Sequence, residues 1–318
     1  MGDIIHTLPA VTDATNAFPT IQFDWVVEEA FTEIPKWHKQ VHRVIPIGLR
    51  RWRKKLLPAI QAGELNRFYK QLRGQAYDFV LDAQGSIKSA MTTRLGRGYR
   101  LGMDKKSARE SLARLAYQKT FSVPWQQHAI TRLRQLFSQA LNYPLPLTSP
   151  HYSIDKKKFY QSKLELPKDY VLCIPNTSCL TKQWSYHSWS LLIKEVTQWG
   201  ISVFIPWGDE IEKENAQRLA QRSSLSHVLP FLSLNEIGAV IAQAKMVITV
   251  DTGFSHLAAA LGVPTIVLYG PTNPLWIGTL GPSQFHIKMG VNENRERDSI
   301  VLKKVIDKLH QFLTRVAR

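Results

Sequence analysis

Four short segments hold residue types that could do chemistry. The first is Val250-Asp251-Thr252-Gly253-Phe254-Ser255-His256-Leu257, lying between an apolar β-branched run and a helical pattern. A glycine at such a turn relieves crowding, and Ser255 can cap the helix. The uncapped N–H groups at a helix start then form an anion site. Asp251 falls at the carboxyl end of the run, where a carboxylate can meet sugar or ribose hydroxyls. The second is Asn176-Thr177-Ser178, with Lys182 and Trp184 soon after. Hydroxyls and one lysine suit a diphosphate, through short hydrogen bonds and a single positive charge. The third, Tyr269-Gly270-Pro271-Thr272-Asn273-Pro274, is a rigid loop after another apolar run, able to shape a nucleotide pocket. The fourth is Asp3, which would be a general base if it faced a substrate hydroxyl. On residue types alone each also reads as an ordinary turn, polar loop or cap.

Some chemistries are excluded by what is missing. There is no Gly-x-x-x-x-Gly-Lys phosphate loop and no strand-borne Gly-x-Gly-x-x-Gly, which argues against P-loop NTPases and weakens a dinucleotide reading. No Asp-x-Asp pair offers to bridge a metal to a diphosphate, so lysine and helix-dipole stabilisation are the natural substitutes. The cysteines, Cys173 and Cys179, make neither a disulfide scaffold nor a zinc site.

The elements that must position these residues alternate between short apolar runs and amphipathic stretches. Strands are expected at 23–27, 44–47 and 79–83, with helices at 7–17, 65–73, 87–95 and 126–141. A Pro/Ser/Thr-rich linker follows at 142–150. The second half predicts strands at 170–175, 201–206, 246–250 and 265–268. Its helices are expected at 186–199, closed by Gly200, at 210–221, at 234–244 and at 299–314. Ser233 and Glu236 stand at capping-box spacing before the third. Near-continuous apolar strands imply a parallel sheet covered on both faces. The pattern is that of two successive β/α domains, 1–150 and 151–318.

Across 318 residues, 41 Lys and Arg oppose 25 Asp and Glu, a net charge of +16. Nearly all the excess lies between Lys36 and Lys119, where 20 basic and 5 acidic residues leave +15. The densest run is Arg50-Arg51-Trp52-Arg53-Lys54-Lys55, with no acid interspersed to neutralise it. Such a region attracts a polyanionic substrate, an anionic membrane surface or nucleic acid. No helix-turn-helix, RNP-like or zinc motif supports nucleic acid. Tryptophans 25, 37, 52 and 125 are expected in the core, and His128 as structural. The N-terminus lacks the basic start of a signal peptide, and the most apolar stretch, 246–269, is broken by Asp251, His256 and Pro264. A cytosolic protein is expected.

Several segments together resemble a known family. They are Met1-Gly2-Asp3-x-x-His6-Thr7-Leu8-Pro9-Ala10, Phe23-Asp24-Trp25-Val26-Val27-Glu28-Glu29, Arg50-Arg51-Trp52-Arg53-Lys54, Asp82-Ala83-Gln84-Gly85-x-x-Lys88-Ser89-Ala90 and Asp251-Thr252-Gly253-x-Ser255-His256-Leu257. In order, and over essentially the whole chain, they resemble the ADP-heptose:lipopolysaccharide heptosyltransferase family of GT-B glycosyltransferases. The resemblance implies an α/β fold of two Rossmann-like domains facing a central cleft, the N-terminal one for the acceptor and the C-terminal one for ADP-heptose. It implies inverting transfer of L-glycero-D-manno-heptose to a Kdo hydroxyl of Kdo-lipid A, at the cytoplasmic face of the inner membrane of a Gram-negative bacterium. By matching motifs, Asp3 would be the general base. Thr177, Ser178 and Lys182 would hold the diphosphate and Glu212 the ribose, while Asp251, Thr252, Gly253 and His256 would complete the donor site. Arg50, Arg51, Arg53, Lys54 and Arg109 would meet the acceptor's anionic groups. No metal or other cofactor and no nucleic acid is implied. The family has a strand before its Gly-Asp pair, where this sequence has only Met1, so the first strand of the N-terminal sheet is expected to be missing. A binding protein without turnover, or a paralogue acting on an already heptosylated acceptor, are the competing expectations.

Overall fold

The computed structural model describes residues 1–159, 164–177, 179–289 and 295–316. The chain divides into two compact units, Asp3–Asp155 and Lys156–Arg318.

In the N-terminal unit the strands are all parallel but form two sheets. β1 (Phe23–Glu28) pairs with β2 (Val41–Ile47), and β3 (Phe79–Leu81), β4 (Tyr99–Met103) and β5 (Lys119–Phe121) lie side by side in that order. The first element is the helix Gly2–Ala17, which begins before the expected residue 7 and runs through Pro9. Proline inside a helix costs about 3 kcal/mol. Ile5, Leu8 and Val11 are completely buried across it, and each contributes about 1.5–3 kcal/mol, so burial outweighs the lost hydrogen bond. This helix packs through Ala10, Val11 and Ala14 on a core of Leu101, Met103, Val123, Leu136 and Phe137. The last two belong to the helix Ala129–Leu141, which ends on Asn142 in a left-handed conformation.

Tryptophan burial only partly follows expectation. Trp37 and Trp52 are buried, whereas Trp125 is exposed, with the Arg132 guanidinium 3.6 Å above its ring and its Nε1 donating to Lys106 O. His128 caps the helix Ala129–Leu141, its Nδ1 accepting from Ile130 N–H.

A buried ion pair organises the end of this unit. Arg134 Nε lies 2.6 Å from Asp13 Oδ2, and the guanidinium also donates to the carbonyls of Thr148 and Pro146. The proline-rich segment is thereby fastened to the N-terminal unit.

Among the described residues the C-terminal unit forms one six-stranded parallel sheet. Its strands are β6 (Tyr170–Ile174), β7 (Ser202–Ile205), β8 (Ser226–Val228), β9 (Met246–Val250), β10 (Thr265–Tyr269) and β11 (Gln284–Lys288), in the order β11-β10-β9-β6-β7-β8. β6, β9 and β10 are buried along their whole length. Val171, Cys173, Ile248 and Ile266 pack with Trp189, Leu192 and Val196 of the helix Tyr186–Gln198 and with Val305 and Leu309 of the helix Arg295–Val316. Burial pushes the Cys173 thiol well above its ordinary pKa. Gly200 closes the helix Tyr186–Gln198 at φ +75°, and the Ser233–Glu236 capping box is formed. The chain leaves β6 for β7 on one side and returns to β9 on the other, so the direction of winding reverses between β6 and β9. Open α/β sheets bind ligands outside the carboxyl ends of strands at such a point.

Removing either partner of the Asp13–Arg134 pair strands a buried charge. Asp13→Ala or Arg134→Ala is expected to lower stability by about 3–5 kcal/mol. The double variant should lose less than the sum, as read by urea unfolding.

Candidate active site

The reversal point is built by two strand ends. After β6 the chain passes Asn176 and Thr177 into the short 3₁₀ turn Leu180–Lys182, closed by Lys182 N–H donating to Cys179 O. After β9, Asp251 N–H donates to Leu268 O, which fixes the residue at the sheet's edge. Lys182 Nζ then lies 2.7 Å from Asp251 Oδ2, with the carboxylate only 4% exposed and the lysine 26%. A carboxylate so far from water needs a counter-charge, and the ammonium keeps two further donors to offer a ligand. The loop after β10 presses on the same turn: a Cβ on Gly270 would stand 2.6 Å from Thr181 O, so only glycine fits there unmoved.

The helix Gly253–Ala260 begins beside Asp251. Its cap is Thr252, whose Oγ1 accepts from Phe254 N–H at 3.4 Å. Ser255, expected to cap, instead donates its hydroxyl to Thr252 O at 2.6 Å, because it lies one turn inside the helix. His256 is buried within the same helix. Thr177 is half-buried, its Oγ1 accepting from Cys179 N–H at 3.5 Å. Ser178 lies outside the described residues. The structure thus gathers Lys182, Asp251, Thr252 and Gly253 at one sheet edge, with Thr177 on the approach.

Glu212 stands beyond the neighbouring strand, β7. Asp209 caps the helix Glu210–Ala220 by accepting from Glu212 N–H, and Glu212 Oε2 accepts from Gly208 N–H at 2.8 Å. Burial raises the Glu212 carboxyl above its ordinary value, opposed by that Gly208 bond and helped by the Asp209 charge. Next to it is an aromatic pair that sequence reasoning passed over. Trp207 and Phe231 have centroids 5.4 Å apart, Trp207 Nε1 donates to Leu229 O, and Phe231 is exposed. The available signal was an aromatic residue just past the carboxyl end of each of two successive strands.

In the N-terminal unit Asp3 occupies the first turn of the helix Gly2–Ala17, where the helix dipole favours a negative charge. Its side chain is 75% exposed, and Arg109 Nη1 is 4.0 Å from its Oδ2. Arg109 is placed by a braced loop. Asp82 Oδ1 accepts from the N–H groups of Gln84 and Gly85, Asp82 Oδ2 accepts from Tyr117 O–H at 2.6 Å, and Gly85 O accepts from Glu110 N–H. Gly85 takes φ +66°, and Gly102 leaves the space that the Tyr117 ring fills.

The basic run Arg50–Lys54 departs from expectation at Arg51. Its guanidinium is held by Glu29 through two bonds of 2.9 Å and by Glu64, 2.8 Å away. These bonds pull both carboxyls below their ordinary range. Glu64 also accepts from Trp52 Nε1. Arg51 is therefore a bracket that fixes the helix Leu49–Lys54, its charge already balanced by acids from outside the run. Arg50 lies over the Phe31 ring, its backbone N–H donating to Glu28, and Arg53 and Lys54 are exposed.

Residues 65–305 match glycosyltransferase family 9 (heptosyltransferase). The chain is 48% identical to lipopolysaccharide heptosyltransferase 1 of Pseudomonas aeruginosa over 288 residues, covering 90% of this chain and 81% of that protein. It is 45% identical to the Escherichia coli K12 protein of the same name, covering 89% of each. Among solved structures it matches E. coli heptosyltransferase WaaC with ADP at a TM-score of 0.90 and 42% identity, covering 97% of both chains. E. coli heptosyltransferase II shares the fold, at a TM-score of 0.79 and 19% identity.

A carboxyl whose folded pKa is raised costs stability once the pH rises above its unfolded value, about 4.3. In ligand-free protein Glu212→Gln is accordingly expected to raise the thermal midpoint at pH 7, with the gain fading toward pH 4.

Proposed function

The chain belongs to glycosyltransferase family 9, the heptosyltransferase family, and on that premise we propose that it moves L-glycero-D-manno-heptose from ADP-heptose to a Kdo hydroxyl of Kdo-lipid A, with inversion, in building the lipopolysaccharide inner core. The observation that carries the reading is the Lys182–Asp251 pair at the reversal point of the C-terminal sheet, beside the start of the helix Gly253–Ala260.

In this mechanism ADP is the leaving group, and negative charge grows on its β-phosphate as the glycosidic bond breaks. Lys182, aimed by Asp251, meets that charge together with the N–H groups near Gly253, while Thr177 and Ser178 add hydroxyl donors. Glu212 accepts from the ribose hydroxyls, and the faces of Trp207 and Phe231 offer a flat apolar surface to adenine. Asp251, Thr252 and His256 complete the donor site. Asp3 takes the proton of the Kdo hydroxyl as its oxygen attacks the anomeric carbon from the face opposite ADP. Arg109, beside Asp3, receives the acceptor's carboxylates and phosphates together with Arg50, Arg53 and Lys54. Arg51 acts by positioning these neighbours.

The reaction is proposed to need no metal, because the Asp251 carboxylate at the reversal point is already paired with Lys182. The acceptor is a membrane lipid, and no described helix is long and apolar enough to cross a membrane. Peripheral attachment at the cytoplasmic face of the inner membrane fits that arrangement, and nucleic acid has no part in it.

ADP release from ADP-heptose in the presence of Kdo-lipid A tests the reading. Asp3→Asn is expected to lower kcat about 10²–10⁴-fold and Lys182→Ala about 10²–10³-fold, whereas Arg51→Ala raises chiefly the KM for the acceptor. Chelation by EDTA should leave the rate unchanged. Donor binding without ADP release would overturn the proposal, as would full activity of Asp3→Asn.

A further inference from the structure

One face of the N-terminal unit combines an apolar ridge with a basic border. The helix Ile87–Leu95 carries Ile87, Met91 and Leu95 at successive four-residue steps, so the three line one side. All are exposed, Met91 at 67%. Beside it the 3₁₀ helix Ser111–Ala116 shows Leu112 and Leu115, three residues apart and therefore on one edge, at 63% and 64% exposure. A groove of about 420 Å³ runs between the two helices, lined by Ile87, Met91, Arg94, Leu112 and Leu115 among others. A second of about 580 Å³ shares Leu112 and Leu115 and is bordered by Asp104, Lys105, Lys106 and Arg114. Five large apolar side chains gathered at the surface are uncommon in a monomer without a binding role.

The charge around this ridge is one-sided. Residues 86–116 hold eight Lys and Arg against Asp104 and Glu110. Both acids are already engaged: Asp104 Oδ1 accepts from the N–H groups of Lys106 and Ser107, and Glu110 Oε2 from Ile87 N–H. Leucines at the centre and cations at the rim fit a partner with negative headgroups over an apolar layer. Single-stranded nucleic acid would ask for aromatic stacking faces at the centre instead.

We propose that this face seats the protein on an anionic phospholipid bilayer, with Met91, Leu112 and Leu115 entering the acyl boundary and Lys105, Lys106 and Arg114 meeting the headgroup phosphates. The proposal deepens the functional reading, which rests on a membrane-borne acceptor. It concerns residues apart from Asp3 and the Arg50–Lys54 run.

Co-sedimentation of the full chain with phosphatidylglycerol-containing vesicles, and with vesicles of phosphatidylcholine alone, tests it. The parent is expected to prefer the anionic vesicles and to release from them as salt is raised. Met91→Ser/Leu112→Ser/Leu115→Ser and Lys105→Gln/Lys106→Gln/Arg114→Gln should each weaken partitioning about tenfold or more. Both should release ADP at the parental rate with a deacylated, water-soluble acceptor, which also shows that they fold. Parental vesicle binding by both variants would overturn the proposal, as would equal binding to the two vesicle types. So would capture of an acidic protein by this face with no lipid binding. Vesicle binding in a chain that releases no ADP would instead remove the functional reading and leave this surface standing.

Discussion

The arrangement of the C-terminal unit depends on one ion pair across the two central strands. Asp251 is carried to the end of β9 by a run with no polar contact to water, and its carboxylate arrives almost wholly buried. Left alone, such a charge would be among the most costly groups in the molecule. Lys182 relieves it from the end of β6, and can do so only because the turn Leu180–Lys182 is closed by its own hydrogen bond and backed by the chain at Gly270. Three separated stretches of sequence are thus locked together at one edge. That edge is where the winding reverses and where a helix start faces outward. A lysine held this way is oriented before any ligand comes, so little reorganisation remains when charge develops during the reaction.

The N-terminal unit treats charge differently. Its basic excess is not a uniform anion receptor. Arg51 and Arg134 are consumed internally, one by Glu29 and Glu64, the other by Asp13 and two carbonyls. Arg132 lies over Trp125 and donates to Ser107 O. These pairings fix the frame from which Arg53, Lys54 and Arg109 project. Asp3 belongs to the same logic: it is exposed, at a helix start, with one guanidinium at 4.0 Å, and Tyr117, Asp82 and Gly85 hold the loop that carries that guanidinium. A carboxylate in such a place is open to an approaching substrate hydroxyl.

Much of this was legible in the residues. Asp251-Thr252-Gly253 could be placed at a strand-to-helix turn because the apolar run before it and the helical pattern after it are strong. The 246–250 strand followed from an unbroken apolar, β-branched run, and the helix at 87–95 stands at the expected bounds. The edge strands β8 and β11, the short β5 and its neighbour β4 are not among the expected strands, since three to five residues with polar members carry little signal. The helix start at Gly2 was hidden by Pro9, whose local penalty is overridden by burial that only the fold supplies. The internal pairing of Arg51 is invisible in the run for a related reason. Its partners stand 22 and 13 residues away, and the run itself contains no acid, so only the tertiary structure reveals that its charge is balanced. Ser255 was offered the cap that Thr252 takes, a difference of a single helical turn. Trp207 and Phe231 escaped notice because two aromatic residues 24 positions apart become a pair only when β7 and β8 lie side by side.

The central claim is that Asp251 acts through Lys182, and a double-variant cycle in single-turnover ADP release tests it most directly. The four proteins are the parent, Lys182→Ala, Asp251→Asn and the combination. If the carboxylate serves to aim the ammonium, Asp251→Asn will slow the parent strongly and Lys182→Ala hardly at all, so the combined loss stays close to that of Lys182→Ala alone. If the two losses multiply instead, the residues act independently, and the ion pair is not what organises the site.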